Sequence, residues 1–350
     1  MSFPKYQWQP TTAEIAVAAG LPPDQVERFD HNTSPLPTDW ALDVVTPPSR
    51  TLNEYPAASY VSLRTAVAEN TGLDPEAVVP GAGADELILL AARAFLAPEQ
   101  NSVVAVPSYP LYEIATAQVR GRITRIEAQP PDFGFPVDEV IAAARHAEIV
   151  WLCAPSNPLG NRPTDEEVAS VIAATDGVVV LDAAYAEFAG DDWTQWVDRY
   201  HNLLVLHTMS KAYGLAGARV GYGLGHPDLV AAIDGVRPPG SISSLSVDLA
   251  VAALNAPDRM RSAVGAITEE RNRLADYLHG LGLRVLPSST NFLLCEVGRQ
   301  ARTLADGLMK EGLVTRTFPA DGPLASYLRF TVRSPRAHDR LLSALQRRLP

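Results

Sequence analysis

Three of the 29 Lys and Arg side chains in this chain are lysines, and one of them sits where a reactive amine would. Lys211 lies in His207-Thr208-Met209-Ser210-Lys211-Ala212-Tyr213-Gly214-Leu215-Ala216-Gly217-Ala218-Arg219, just after the apolar run Leu203–Leu206. Such a run reads as a buried strand, and the small residues that follow suit a tight loop entering a helix. An ammonium at the carboxyl end of a buried strand is costly unless it is paired or reactive. Two readings are open at this point. Lys211 is a Schiff-base amine that holds a carbonyl cofactor, or it ends a strand and reaches water.

Other polar groups fall at the ends of apolar runs. Val79 is followed by Gly81-Ala82-Gly83-Ala84-Asp85-Glu86, a small-residue turn whose helix N-terminus suits an anion. Trp151 is followed by Ala154-Pro155-Ser156-Asn157-Pro158-Leu159-Gly160, a stiff loop presenting an amide. Val180 is followed by Leu181-Asp182-Ala183-Ala184-Tyr185, which offers a carboxylate and a phenol. These parts match the needs of pyridoxal phosphate. Its aldehyde needs an amine, Lys211. Its ring nitrogen needs a buried carboxylate, Asp182, so that the ring can draw electrons from a carbanion. Its ring oxygen needs donors, Asn157 and Tyr185. Its phosphate needs a helix N-terminus, hydroxyls and a cation, namely Ala84 and Asp85, Thr208 and Ser210, and Arg219. Tyr109, in Pro107-Ser108-Tyr109-Pro110, is the candidate lid on the ring face. Each part alone is common; their joint occurrence, in order and at strand ends, carries the assignment.

The elements that must position these groups alternate. Strand-like runs fall at 103–106, 123–126, 149–153, 178–181, 203–207 and 220–224. Helical windows fall at 59–71, 85–96, 111–119, 137–144 and 165–174. That alternation predicts a mostly parallel sheet covered on both faces, and in such a sheet ligands bind outside the carboxyl ends of the strands. Beyond Pro238-Pro239-Gly240 a helix-rich stretch runs to about Gly280. Strands at 283–286, 291–296 and 326–332 and helices at 303–311 and 337–348 then close the chain. Residues 12–19 read as a short helix before an extended arm. The expected organisation is α/β: residues 1–49 as an arm and part of a small domain, 50–245 as the large cofactor-binding domain, and 246–350 as the small C-terminal domain.

A net charge of −11 argues against nonspecific binding to nucleic acid or an anionic membrane. Cys153 and Cys295 lie far apart in apolar runs and read as buried free thiols. The seven histidines are scattered, and no metal site is expected. Met1-Ser2-Phe3-Pro4-Lys5 lacks the apolar core of a signal peptide, and no apolar run approaches the roughly 20 residues of a membrane span. A cytoplasmic protein is expected.

Taken in order, Gly-Ala-Gly-Ala-Asp-Glu, Pro-Ser-Tyr, Asn-Pro-Leu-Gly, Asp-Ala-Ala-Tyr and Ser-Lys-Ala-Tyr-Gly-Leu-Ala-Gly-Ala-Arg resemble the class I/II aminotransferases of aspartate-aminotransferase fold. They are most similar to the histidinol-phosphate aminotransferase group, which also contains threonine-phosphate decarboxylases. The resemblance covers about residues 50 to 335. It implies fold type I, with a seven-stranded, mostly parallel sheet in the large domain and a smaller α/β domain made from both chain ends. It also implies a homodimer with shared active sites, in which Tyr55, of Asn53-Glu54-Tyr55-Pro56, reaches the phosphate of the other subunit; otherwise Tyr55 is an ordinary loop aromatic. Tyr327-Leu328-Arg329-Phe330-Thr331-Val332 resembles the block whose arginine clamps the substrate carboxylate, a task suited to a bidentate guanidinium. Asn291-Phe292 resembles the block beside it. Arg316 matches a position that holds substrate phosphate, and reads equally as surface charge.

Some blocks depart from the family. Its Asp-Glu-Ala-Tyr is Asp182-Ala183-Ala184-Tyr185 here, and the amino-terminal Asn-Glu-Asn-Pro-Tyr-Gly-Pro is His31-Asn32-Thr33-Ser34-Pro35-Leu36-Pro37. Asn32 remains as a candidate substrate contact, while the tyrosine and glycine are gone. The expected function is amino transfer between an amino acid or similar donor and a 2-oxo acid, plausibly 2-oxoglutarate. Histidinol phosphate is not the expected best donor, because the missing tyrosine would help to hold a substrate phosphate; an apolar or aromatic amino acid is expected instead, because Leu36, Trp40 and Tyr109 suit a less polar pocket. The alternatives are a histidinol-phosphate aminotransferase proper, or a decarboxylase or other lyase on the same scaffold. A cofactor-binding regulator is disfavoured because no helix-turn-helix pattern precedes residue 50. A nicotinamide dehydrogenase is disfavoured because Gly-x-Gly-x-x-Gly is absent from the first strand.

Overall fold

The computed structural model describes residues 6, 9–38, 40 and 53–349. Met1–Lys5, from which the lack of a signal-like core was read, lie outside the described residues, as does most of the arm beyond Thr38. Seven strands form the large sheet: β2 (Val78–Gly81), β3 (Asn101–Val106), β4 (Arg122–Glu127), β5 (Ile149–Cys153), β6 (Val178–Asp182), β7 (Leu203–Thr208) and β8 (Gly221–Gly225). Their order is β2-β8-β7-β6-β5-β3-β4. The pairs from β4 to β7 are parallel, whereas β8 runs antiparallel to β7 and β2.

The central strands are apolar on both faces because both are covered. Val103, Val150, Val179, Leu203 and Val205 enter one core. Their neighbours Val104, Trp151, Val180, Leu204 and Leu206 enter the other. The first face is closed by α2 (Val61–Thr71), α5 (Val137–Ala144), α6 (Asp165–Ala174), α8 (Thr194–Arg199) and α10 (Ser244–Leu254); the second is closed by α3 (Ala84–Phe95), α4 (Leu111–Gln118) and α9 (Pro227–Val236). A single turn, α7 (Ala186–Ala189), follows β6. α10 straddles the expected boundary at 245/246 and packs Val247, Ala250, Ala253 and Leu254 into the large-sheet core.

The long helix α11 (Pro257–Gly280) leads to the second body. There β9 (Arg284–Val285), β10 (Phe292–Glu296) and β12 (Tyr327–Thr331) make an antiparallel sheet in the order β12-β10-β9, backed by α12 (Ala301–Met309) and α13 (Pro335–Arg348). The two chain ends meet: β1 (Glu27–Arg28), which follows α1 (Thr12–Ala19), pairs in parallel with β11 (Leu313–Val314).

Expected and observed elements differ mainly at their ends. The helix expected from Ser59 starts at Val61, because Tyr60 is left-handed at φ 49°. The strand expected over 283–286 narrows to two residues. α7, α8 and α9 were not anticipated, although Pro227 in the first turn of α9 and the His226 cap before it were visible signals.

Candidate active site

The chain passes from β4 back across β3 to β5, so the strand order reverses between β3 and β5. A parallel sheet opens a crevice at the carboxyl ends of such strands. Tyr109, Asn157, Asp182, Tyr185, Thr208, Ser210 and Lys211 all follow strands that end there. The sequence-expected residues are therefore delivered along one edge.

Lys211 is partly buried. Its Nζ donates to the Asn32 carbonyl at 3.1 Å and lies 5.8 Å from the centre of the Tyr185 ring. Burial draws the ammonium down to about 8; Arg329 and Arg219 push the same way, and Asp85 and Asp182 oppose them. An amine titrating there is neutral in part near neutral pH, as a nucleophile or base must be.

Asp182 ends β6 and is 4% exposed, too little for water to solvate its charge. One oxygen accepts the Ala184 N–H at 3.1 Å, the other the Tyr112 O–H at 2.6 Å. Burial raises its pKa, while these two donors hold it down. No cation among the described residues forms an ion pair with it. A buried carboxylate so arranged suits a protonated ring nitrogen.

The candidate phosphate end lies where α3 begins. Gly83, at φ 82°, precedes the helix, and no side chain caps it. Arg219 donates to Ser210 Oγ at 3.3 Å and to Asp85 at 2.9 Å. The Ser210 N–H donates to Thr208 Oγ1 at 3.2 Å. β8 passes so close that a Cβ on Gly221 would meet the His207 carbonyl at 2.7 Å and the Ala84 nitrogen at 2.8 Å. An anion entering there meets a guanidinium, two hydroxyls and an uncapped helix N-terminus. These residues fit pyridoxal phosphate in donor type and order.

Arg329 comes from β12 and is 8% exposed. It donates to Asn157 Oδ1 at 2.6 Å and to the Asp30 carbonyl at 2.8 Å, and it lies over Phe292 at 5.0 Å. Burial, opposed by Tyr185 and Asp30 and helped by Arg316, lowers it to about 10. Its buried Nε has no hydrogen-bond partner among the described residues, which leaves donor capacity for a carboxylate. The Arg316 backbone pairs with that of Arg329 in both directions, at 3.2 and 3.1 Å. In such an antiparallel pair the two side chains share one face of the sheet.

The structure does not gather every expected residue. Tyr109 donates to Asp85 at 3.0 Å and lies at the phosphate end. Leu36 and Trp40 instead line a cavity of about 530 Å³ with Tyr213, Met260 and Arg259. The single pocket expected from Leu36, Trp40 and Tyr109 is thus two places. Tyr55 is 96% exposed and forms no hydrogen bond with the described residues of its own site. Sequence reasoning missed Tyr112, which reads as a helix-interior aromatic and stacks on Trp151 at 5.4 Å. It also missed the buried pair Arg28–Asp30, bidentate at 2.9 and 2.8 Å, whose Asp30 carbonyl supports Arg329. Alternation along Arg329-Phe330-Thr331 was the available clue to Thr331, which bonds Asn32.

The sequence model of the family aminotransferase class I and II matches residues 28–345. The chain is 34% identical over 328 residues to histidinol-phosphate aminotransferase 2 of Archaeoglobus fulgidus, across 93% of this chain and 94% of that protein. It is 34% identical over 314 residues to the histidinol-phosphate aminotransferase of Methanothermobacter thermautotrophicus, across 87% and 83%. The crystal structure of histidinol-phosphate aminotransferase from Sinorhizobium meliloti, in complex with pyridoxal-5'-phosphate, superposes with a TM-score of 0.88 at 27% identity. That superposition covers 97% of this chain and 95% of that one.

Proposed function

The chain belongs to the class I and II aminotransferases, and from that membership we propose how its own residues divide the work of pyridoxal-phosphate-dependent amino transfer. Bound in the crevice, pyridoxal phosphate supplies a carbonyl for an amine and a ring that accepts the electron pair left when an α-proton departs. Lys211 holds that carbonyl at rest. Displaced by the donor, its amine removes the donor α-proton and returns a proton on the product side. Asp182 keeps a proton on the ring nitrogen. Tyr185 and the Asn157 amide nitrogen donate toward the ring oxygen. Ala84, Asp85, Thr208, Ser210 and Arg219 hold the phosphate end, and Tyr109 lies beside it. The observation that carries this reading is the Lys211 amine, its ammonium disfavoured by burial, placed just after β7 beside the strand β6 that ends in the buried Asp182 carboxylate.

Arg329 holds the α-carboxylate of an amino acid or of the 2-oxo acid acceptor. Arg316, on the same face, takes a second anionic group, which favours 2-oxoglutarate as acceptor and a donor with a distal phosphate or carboxylate. A second reading rests on the Leu36–Trp40–Tyr213–Met260 cavity, which favours an apolar or aromatic amino acid as donor. Tyr55, exposed in one chain, completes the phosphate site of a second copy, so the working unit is a homodimer. The test is formation of glutamate from 2-oxoglutarate with histidinol phosphate, phenylalanine, tyrosine or leucine as donor, in wild type and Arg316→Ala. A preference for the phosphate ester that Arg316→Ala abolishes supports the two-anion reading. A preference for phenylalanine, untouched by that change, supports the apolar one. No donor-dependent glutamate with any amine, together with release of CO2, would point to a lyase.

A further inference from the structure

Asn32 has φ 51°, in the left-handed region that side chains other than Asn and Asp seldom enter. Its carbonyl accepts from Lys211 Nζ at 3.1 Å and from Asn291 Nδ2 at 3.0 Å. The rest of the residue anchors that backbone. Its Nδ2 donates to the Tyr185 hydroxyl at 3.0 Å. The Thr331 hydroxyl donates to its Oδ1 at 2.9 Å and accepts its main-chain N–H at 3.0 Å. The segment is pinned on both sides, by Arg329 on the Asp30 carbonyl at 2.8 Å and by Arg333 on the Thr33 carbonyl at 3.4 Å. Asn32 is 2% exposed, so its amide has little surface to offer a substrate.

We propose that Asn32 is a positioning residue for Lys211: its main-chain carbonyl, aimed by the left-handed backbone, takes one N–H of the amine and directs the lone pair. Its side chain holds that backbone and does not bind substrate. The proposal rests on Lys211 being the reacting amine. A carbonyl acceptor also favours the ammonium, so losing it leaves desolvation less opposed and the amine less basic. The charged and titratable groups facing Lys211 are Arg329, Arg219, Asp85, Asp182, His31 and Tyr185. Of these, Tyr185 is hydrogen-bonded to Asn32 and His31 is its chain neighbour.

Asn32→Ala and Asn32→Gly separate the two roles. Both lose the amide and its contact with Tyr185, but only glycine enters the left-handed region freely. In cofactor-free protein, acetylation of Lys211 by acetic anhydride is followed against pH by peptide mass spectrometry. In loaded enzyme, kcat and KM are measured with the best donor. Asn32→Ala should move the Lys211 midpoint down, and kcat should fall about tenfold further than in Asn32→Gly, with KM similar in the two. Equal damage from alanine and glycine would overturn the proposal, since the lost amide would then account for it. So would a rise in KM with kcat intact, which marks a substrate contact. Should Asn32→Ala not fold, Thr331→Val removes both Thr331 hydrogen bonds to Asn32. It should move the midpoint the same way, and an unchanged midpoint would overturn the proposal. Failure of the underlying reading would look different: borohydride would label wild-type protein away from Lys211.

Discussion

Asp182 is the residue at which replacing one atom should matter most. Asparagine in its place keeps the size and removes the charge proposed to face the ring nitrogen. A loss of preorganised electrostatics of this kind costs about 10²–10³ in kcat, or more. Steady-state turnover of Asp182→Asn at saturating cofactor measures it, and near-normal kcat would show that another group does the work. Tyr112→Phe should be milder. It removes one of the two donors on Asp182, so kcat should fall about tenfold or less, and ring absorbance against pH should shift, because Asp182 becomes more basic. An unchanged absorbance titration would mean that Tyr112 only packs. The contrast between these residues shows what the sequence could tell. Asp182, Lys211 and Asn157 were legible because each follows an apolar run and carries a group the chemistry needs. Tyr112 was not, because its partner lies 70 residues away and its own surroundings look like any helix interior.

Elements were legible where period and composition agreed. The apolar runs of β5, β6 and β7 and the periodic windows of α5 and α6 fall where expected. Their ends shifted where a backbone angle decided the matter, as at Tyr60. The approach of β8 to the start of α3 was not legible, because only packing reveals why position 221 is glycine. That approach shapes the candidate phosphate end. Gly221→Val places a side chain against the His207 carbonyl and the Ala84 nitrogen, and backbone cannot yield as a flexible side chain would. Overpacking of this sort costs about 1–3 kcal/mol. Thermal unfolding of cofactor-free protein should show the loss, and cofactor affinity should fall with it. A variant with unchanged Tm and Kd would mean that β8 and α3 can move apart freely.

At the scale of the whole molecule, the proposed homodimer gives a role to Tyr55, which is 96% exposed in one chain. If two copies share their sites, Lys211→Ala and Tyr55→Ala proteins should each be poor catalysts alone. Mixed and allowed to exchange subunits, they should recover roughly a quarter of wild-type activity, because half of the dimers are hybrids with one intact site. No recovery on mixing would contradict the shared site. The joining of the chain ends through β1 and β11 was expected only in outline, since a two-residue pairing leaves almost no pattern in sequence. The scarcity of lysine gives the most direct test of the account. Cofactor-loaded protein is reduced with borohydride, digested, and searched for the pyridoxyl mass on its three lysine-containing sites. The label should fall on Lys211 and disappear in Lys211→Ala; a label on Lys5 or Lys310 would contradict the assignment of Lys211 as the reacting amine.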